Sequence, residues 1–213
     1  MGDAIKVALF GASGKTGQAF ARAGAAKGLV IRASVRDAAG AILPSTIEIL
    51  RGDLGDADHI RDTITGAKVV CCVFGPRPPH IDVFCARATE RIMDSMRRLE
   101  VRRLVCQTGA MIGGDVANWR PTVRLLARMF RWQRPAVAAD RMRQEKLVRE
   151  SDLEWTVVKP PRLTDGPIRG CVAAGVDLRI GLLSKISRED LASFLVGECV
   201  APSYLKQAVY VTG

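Results

Sequence analysis

Long apolar runs are missing from this chain. None approaches the ~18 residues that a membrane-crossing helix needs, so no transmembrane segment is expected. The opening MGDAIKVALF lacks the charged region, long apolar region and small-residue cleavage site of a secretion signal. Met1-Gly2 begins like a myristoylation signal, yet Lys6 stands where that signal carries Ser or Thr. A cytoplasmic protein is the expectation. The six cysteines (Cys71, Cys72, Cys85, Cys106, Cys171 and Cys199) form no C-x-x-C pair and find no histidine at zinc spacing. Four sit in or beside apolar runs, where a free cysteine behaves as a small core residue; the set reads as structural thiols in a reducing compartment, and no metal is expected. Only two histidines occur, His59 and His80, far apart and without a metal or triad partner, so both are expected at the surface. Lys/Arg tracts of five or more are absent, as is any recognisable nucleic-acid motif. The net charge of +10 therefore points to no nucleic acid, and leaves anionic surfaces or anionic ligands open.

What is present is alternation. Apolar or β-branched runs at 4–10, 29–35, 47–51, 68–74, 102–107, 154–159 and 208–212 read as strands. Helical patterns fall at 14–27, 56–65, 82–99, 136–151 and 188–200. Strands alternating with helices imply an α/β fold, a doubly wound parallel sheet covered on both faces. With 48% hydrophobic residues and no repeat, linker or low-complexity stretch, residues 1–213 are expected to form a single Rossmann-like domain.

The first turn carries the sharpest motif, FGASGKTG. Its Gly14-Lys15-Thr16 resembles the end of an ATP-gripping phosphate loop, but that loop needs a glycine five residues before Gly14, and Leu9 is there. Read instead as Gly11, Gly14 and Gly17 between a strand and a helix, it matches a dinucleotide fingerprint. The first glycine permits the tight turn, the second admits the pyrophosphate, and the third lets helix and strand pack closely. Backbone N–H groups hold the phosphates, and Ser13, Lys15 and Thr16 add contacts.

The end of the second strand selects the cofactor. An acidic residue there favours NAD(H). Arg36 occupies about that position and suits the 2′-phosphate of NADP(H), a contact worth roughly 1.5–3 kcal/mol or about 10- to 150-fold. Neighbouring Asp37 keeps NAD(H) open. After the third strand, Asp53 and Leu54 are expected beside adenine, with capping of the next helix as the alternative for Asp53. Gly75 and Arg77 follow the fourth strand, near ribose and pyrophosphate.

Five segments in order, KVALFGASGKTG, SVRD, RGDLGDAD, ESDLEWTVVKPPRLTDGP and ISREDLASFLV, resemble the atypical short-chain dehydrogenases/reductases over nearly the whole chain. The nearest resemblance is to the NmrA-like and biliverdin reductase B (NADPH-dependent flavin reductase) groups. It implies a Rossmann fold, NADP(H), and hydride transfer to flavins, biliverdins or quinone-like acceptors. The catalytic positions depart from that pattern. Ordinary members carry Tyr and Lys as Y-x-x-x-K on one helix face; here Met142 precedes Lys146. The biliverdin reductase B pattern has a serine where Gly109 stands, after Thr108, and a histidine where Arg162 stands. Thr108, Lys146 and Arg162 remain as the catalytic candidates. The resemblance thus implies an oxidoreductase acting on a planar conjugated acceptor, anionic or neutral, with water as proton source, an NmrA-like sensor without turnover, or a redox-neutral isomerase or cyclase.

Residues 108–135 form a 28-residue insertion, much longer than a usual connection. Pro121 can open a helix in it. Arg120, Arg124, Arg128 and Arg131 then share one face, while Val123, Leu126, Met129 and Phe130 occupy much of the other. Three roles fit: a surface helix packing its apolar side on the core, a substrate lid, or a docking helix for a membrane or protein. As a lid, Trp119, Met129, Phe130 and Trp132 would stack on the substrate. Ser187, three residues before Asp190 and an apolar run, reads as a capping box.

Overall fold

The computed structural model describes residues 4–37, 40–76, 81–113, 117 and 119–213. Seven strands run parallel. In chain order they are β1 (Lys6–Phe10), β2 (Val30–Val35), β3 (Glu48–Arg51), β4 (Val69–Cys72), β5 (Arg103–Gln107), β6 (Glu154–Lys159) and the last strand, β10 (Gln207–Thr212). Three short strands precede that last one: β7 (Arg162–Thr164), β8 (Ala173–Gly175) and β9 (Lys185–Ser187). The main sheet has the order β3-β2-β1-β4-β5-β6-β10-β8, with β8 antiparallel at its edge, while β7 and β9 pair apart from it. This is the doubly wound α/β fold expected from the alternation.

Strand residues alternate between two cores because the side-chain period is two. Val7 and Leu9 face α1 (Lys15–Ala26) and α6 (Arg188–Val200); Ala8 and Phe10 face α2 (Ala57–Ile64), α3 (Cys85–Arg98) and α5 (Pro135–Arg149). Both faces of β1 and β4 are buried, which explains their unbroken apolar runs. The insertion holds α4 (Pro121–Gln133), packed on α5.

Capping follows the sequence closely. Ser187 caps α6, its hydroxyl accepting from the Asp190 N–H at 3.0 Å. Asp190 in turn accepts from the Arg169 and Gly170 amides at 2.8 and 2.9 Å. Burial pushes its carboxyl up, but the Ser187 hydroxyl and those amides outweigh this and hold it below the usual range. Asp56, not Asp53, caps α2, which removes the capping alternative for Asp53. Five cysteines are buried and Cys171 is exposed; burial pushes Cys106 up to about 12.

His59 is not a surface residue. It is buried on α2, its Nε2 2.8 Å from the Ser34 hydroxyl and its ring directly beneath Gly52. A side chain on Gly52 would collide with that ring, so histidine and glycine fit as a pair. His80 lies outside the described residues, as does Arg77.

Candidate active site

A cleft of about 990 Å³ runs along the C-terminal ends of β1–β5, where ligands bind in open α/β sheets. Gly11, Ser13, Gly14, Lys15 and Thr16 form its centre. Gly11 has φ +93°, and a Cβ there would lie 2.7 Å from the Phe74 N, so only glycine fits this turn. A Cβ on Gly17 would overlap the Gly11 carbonyl and come within 2.7 Å of the Ala12 Cα. The helix therefore packs against its own entry loop. At the head of α1, Gly14 is the N-cap, no side chain among the described residues caps the helix, and its first turn holds no acid. Its leading N–H groups and positive dipole end face the cleft, the arrangement that suits a phosphate.

On the β2–β3 side, Arg36, Gly52, Asp53, Leu54 and Gly55 line the cleft; Asp37 does not. Asp53 Oδ1 accepts from the Gly55 N–H at 2.7 Å and shapes this loop, while Arg91 of α3 donates to the Leu54 carbonyl at 3.3 Å. On the rim, Asp165 takes Lys15 at 2.7 Å and Arg188 at 2.5 Å. The hydrogen bond from Lys15, with the nearby Arg188 charge, holds the Asp165 carboxyl below its usual range. Basic side chains (Lys15, Arg36, Arg87, Arg91, Arg141, Arg188) outnumber Asp53 and Asp82 along the lining. The cleft favours anions.

Its far end lies over β4 and β5, between Phe74, Gly75, Phe84, Gln107 and Arg141. Phe74 and Phe84 have ring centroids 5.8 Å apart and build an apolar wall. Arg141 of α5 is held by the Phe74 carbonyl (3.3 Å), the Gln107 carbonyl (3.3 Å) and Gln144 Oε1 (2.6 Å). Gln107 is only 9% exposed, and its Oε1 is a buried acceptor with no hydrogen-bond partner among the described residues. An orphaned acceptor costs about 1–3 kcal/mol, a cost that a ligand donor reaching it would relieve.

The three catalytic candidates are not brought to this end. Lys146 is 69% exposed and pairs with Glu150 at 3.8 Å on the outer face of α5. The inward pair of that helix is one residue earlier, Arg141 and Glu145. Thr108 is buried behind the floor, donating to Glu145 Oε2 at 3.0 Å, and Lys159 donates to Glu145 Oε1 at 2.7 Å. Arg162 is exposed and its neighbour Leu163, not Arg162, borders the cleft. Arg141 and Gln107 were missed. Their signal was positional: Gln107 ends a central parallel strand, and Arg141 falls on the buried stripe Val137, Arg141, Gln144, Val148.

Nor is α4 a lid over the described cleft, since none of its residues lines it. Trp119 is 2% exposed and donates through Nε1 to the Tyr210 hydroxyl at 3.2 Å, sealed among Ala110, Val123, Ala127 and Ile180. Met129 and Trp132 point to solvent, and Phe130 is half-buried away from the cleft.

A family model described as NAD(P)H-binding matches residues 11–202. The chain belongs to this NAD(P)H-binding family. Nicotinamide cofactor binding follows, and the uncapped α1, the glycine turn and orphaned Gln107 Oε1 fit it. Among solved structures, a short-chain dehydrogenase/reductase of Veillonella parvula DSM 2008 in complex with NADP is similar at 16% identity, TM-score 0.81, over 98% of this chain and 94% of that one. A candidate NADH-flavin reductase of Streptococcus pneumoniae TIGR4 is similar at 21% identity, TM-score 0.77, over 98% and 99%. A curated relative, the uncharacterized chloroplastic protein At2g34460 of Arabidopsis thaliana, is 24% identical over 178 residues, 78% of this chain. The chain spans 62% of that relative's length. This family and fold agree with the resemblance to atypical short-chain dehydrogenases/reductases. No described helix is long and apolar enough to cross a membrane.

Proposed function

We propose that the chain is an NADPH-dependent oxidoreductase passing hydride to a planar, conjugated, anionic acceptor of the flavin, quinone or biliverdin type. The carrying observation is the far end of the cleft. It offers a phenylalanine wall for a flat ring, a fixed guanidinium for negative charge, and no tyrosine or histidine among the described lining residues. Arg141 stays protonated at neutral pH. It binds and polarises the acceptor without donating a proton, so the proton comes from water.

In this reading Gly11, Gly14 and Gly17 admit the pyrophosphate, with Ser13, Lys15 and Thr16 around it. Arg36 holds the 2′-phosphate, Leu54 flanks adenine, and Gln107 accepts from the nicotinamide half. The cofactor supplies the hydride; the protein supplies orientation. The position of Arg36 on the cleft wall, with Asp37 off it, supports NADP(H) over NAD(H). The domain is read as single and the protein as cytoplasmic.

A second reading, an NmrA-like sensor that binds NADP without turnover, draws on Thr108 and Lys146 facing away from the cleft. NADPH oxidation followed by absorbance, with flavins, quinones and biliverdin as acceptors, separates the two. Turnover with at least one, lost in Arg141→Met but with NADPH binding retained, supports the enzyme. Tight NADPH binding with no oxidation by any of them selects the sensor.

A further inference from the structure

The outward face of α4 is built the wrong way round for a helix that ends at water. Val123 and Ala127 are its buried residues. Directly opposite them, Leu125, Met129 and Trp132 recur at four and three and are exposed, Trp132 to 82%. Leu126 adds a further exposed apolar side chain. Beside this crest run Arg124, Arg128 and Arg131, and Arg120 and Arg134 stand at the two ends. From Val116 to Ala139 the sequence contains no acidic residue. Next to the head of the helix, the Gly181–Ser184 turn lies against the Arg120 side chain and projects Leu182 and Leu183, the latter 85% exposed.

We infer that α4 and the adjoining Leu182-Leu183 turn form a docking surface for an anionic phospholipid bilayer. The apolar crest enters the interfacial layer while the flanking arginines lay their stems along it and reach the headgroup phosphates. A contiguous exposed apolar face of this kind marks an interaction site, and charge decides its occupant. A second copy on the same face would bring two sets of arginines together with no carboxylate in 116–139 to answer them. An anionic lipid surface answers Arg128 and Arg131. The inference is independent of the proposed reaction, since no α4 residue lines the cleft.

Sedimentation of the full chain with phosphatidylcholine vesicles, and with vesicles also containing phosphatidylglycerol, is the test. Pelleting is expected only with the anionic vesicles. It should be accompanied by a blue shift in the emission of Trp132, the exposed tryptophan beside buried Trp119 and Trp155. Leu125→Glu/Met129→Glu should abolish pelleting, with thermal midpoint and NADPH binding unchanged. Arg128→Gln and Arg131→Gln should each weaken partitioning roughly fivefold, the effect of one basic residue at a charged surface. Should the double variant fail to fold, Met129→Gln read by the same emission shift takes its place. Failure to pellet with anionic vesicles overturns the inference, as does pelleting that the variants leave intact. A dimer by light scattering, with Trp132 already shielded before lipid is added, overturns it in favour of a second copy.

Discussion

Two helix N-termini open toward the same cleft and are finished differently. At the head of α1, no side chain among the described residues caps the first turn, and none of its residues is acidic. At the head of α3, Asp140 reaches across from α5 and accepts from the Cys85 and Ala86 amides at 2.8 and 3.0 Å. One end is left for a ligand's phosphate; the other is satisfied by the protein's own carboxylate. The lesson is that a helix terminus marks a ligand site only when the chain declines to fill it, and here the filling is done from a helix remote in sequence.

The comparison breaks most visibly at Gly17. Replacing it with alanine forces the Cβ into the Gly11 carbonyl and Ala12 backbone. NADPH affinity should fall below detection by calorimetry, with a stability loss of about 1–3 kcal/mol in urea unfolding. A variant that binds normally would show that the close approach of α1 to its loop is dispensable. Next in size, Arg36→Ala should lower NADPH affinity by about 10- to 150-fold and leave NADH affinity unchanged. Equal effects on both cofactors would remove Arg36 from the 2′-phosphate. The smallest effect on the cofactor, and the sharpest test of the contrast, is Asp140→Ala. It strips two buried amides of their acceptor and should cost about 2–3 kcal/mol in stability, while NADPH affinity moves less than about twofold. A large loss of NADPH binding would mean that the α3 terminus belongs to the cofactor site after all.

Most of the sheet was legible because the central strands are buried on both faces and write unbroken apolar runs. The short β7, β8 and β9 were not. Each spans three residues, too few to show a period, and they exist through pairings made only after the chain has folded. The glycine turn at the centre of the cleft was legible for a related reason: glycine spacing, strand and helix are all local. The far half was not. Anchoring the α5 face on Lys146 placed it one residue out of register, whereas the buried stripe through Val137, Arg141, Gln144 and Val148 fixes it. Trp119 and His59 were misjudged because their partners are distant: Tyr210 lies 91 positions away and Ser34 25. An indole or imidazole with a hydrogen-bond partner can be sealed in a core, and local patterning carries no trace of that partner.

Asp190 is a rivet shared by two plates. The same carboxylate that accepts from the Ser187 hydroxyl at the start of α6 also clamps the bend at 169–170, downstream of Asp165 and its grip on the rim of the cleft. Because the Ser187 hydroxyl and the two amides hold its carboxyl below the usual range, the carboxylate's contacts are in place above that lowered range and weaken together as pH falls through it. Rim and helix thus share the Asp190 fastening in addition to the direct Arg188–Asp165 pair.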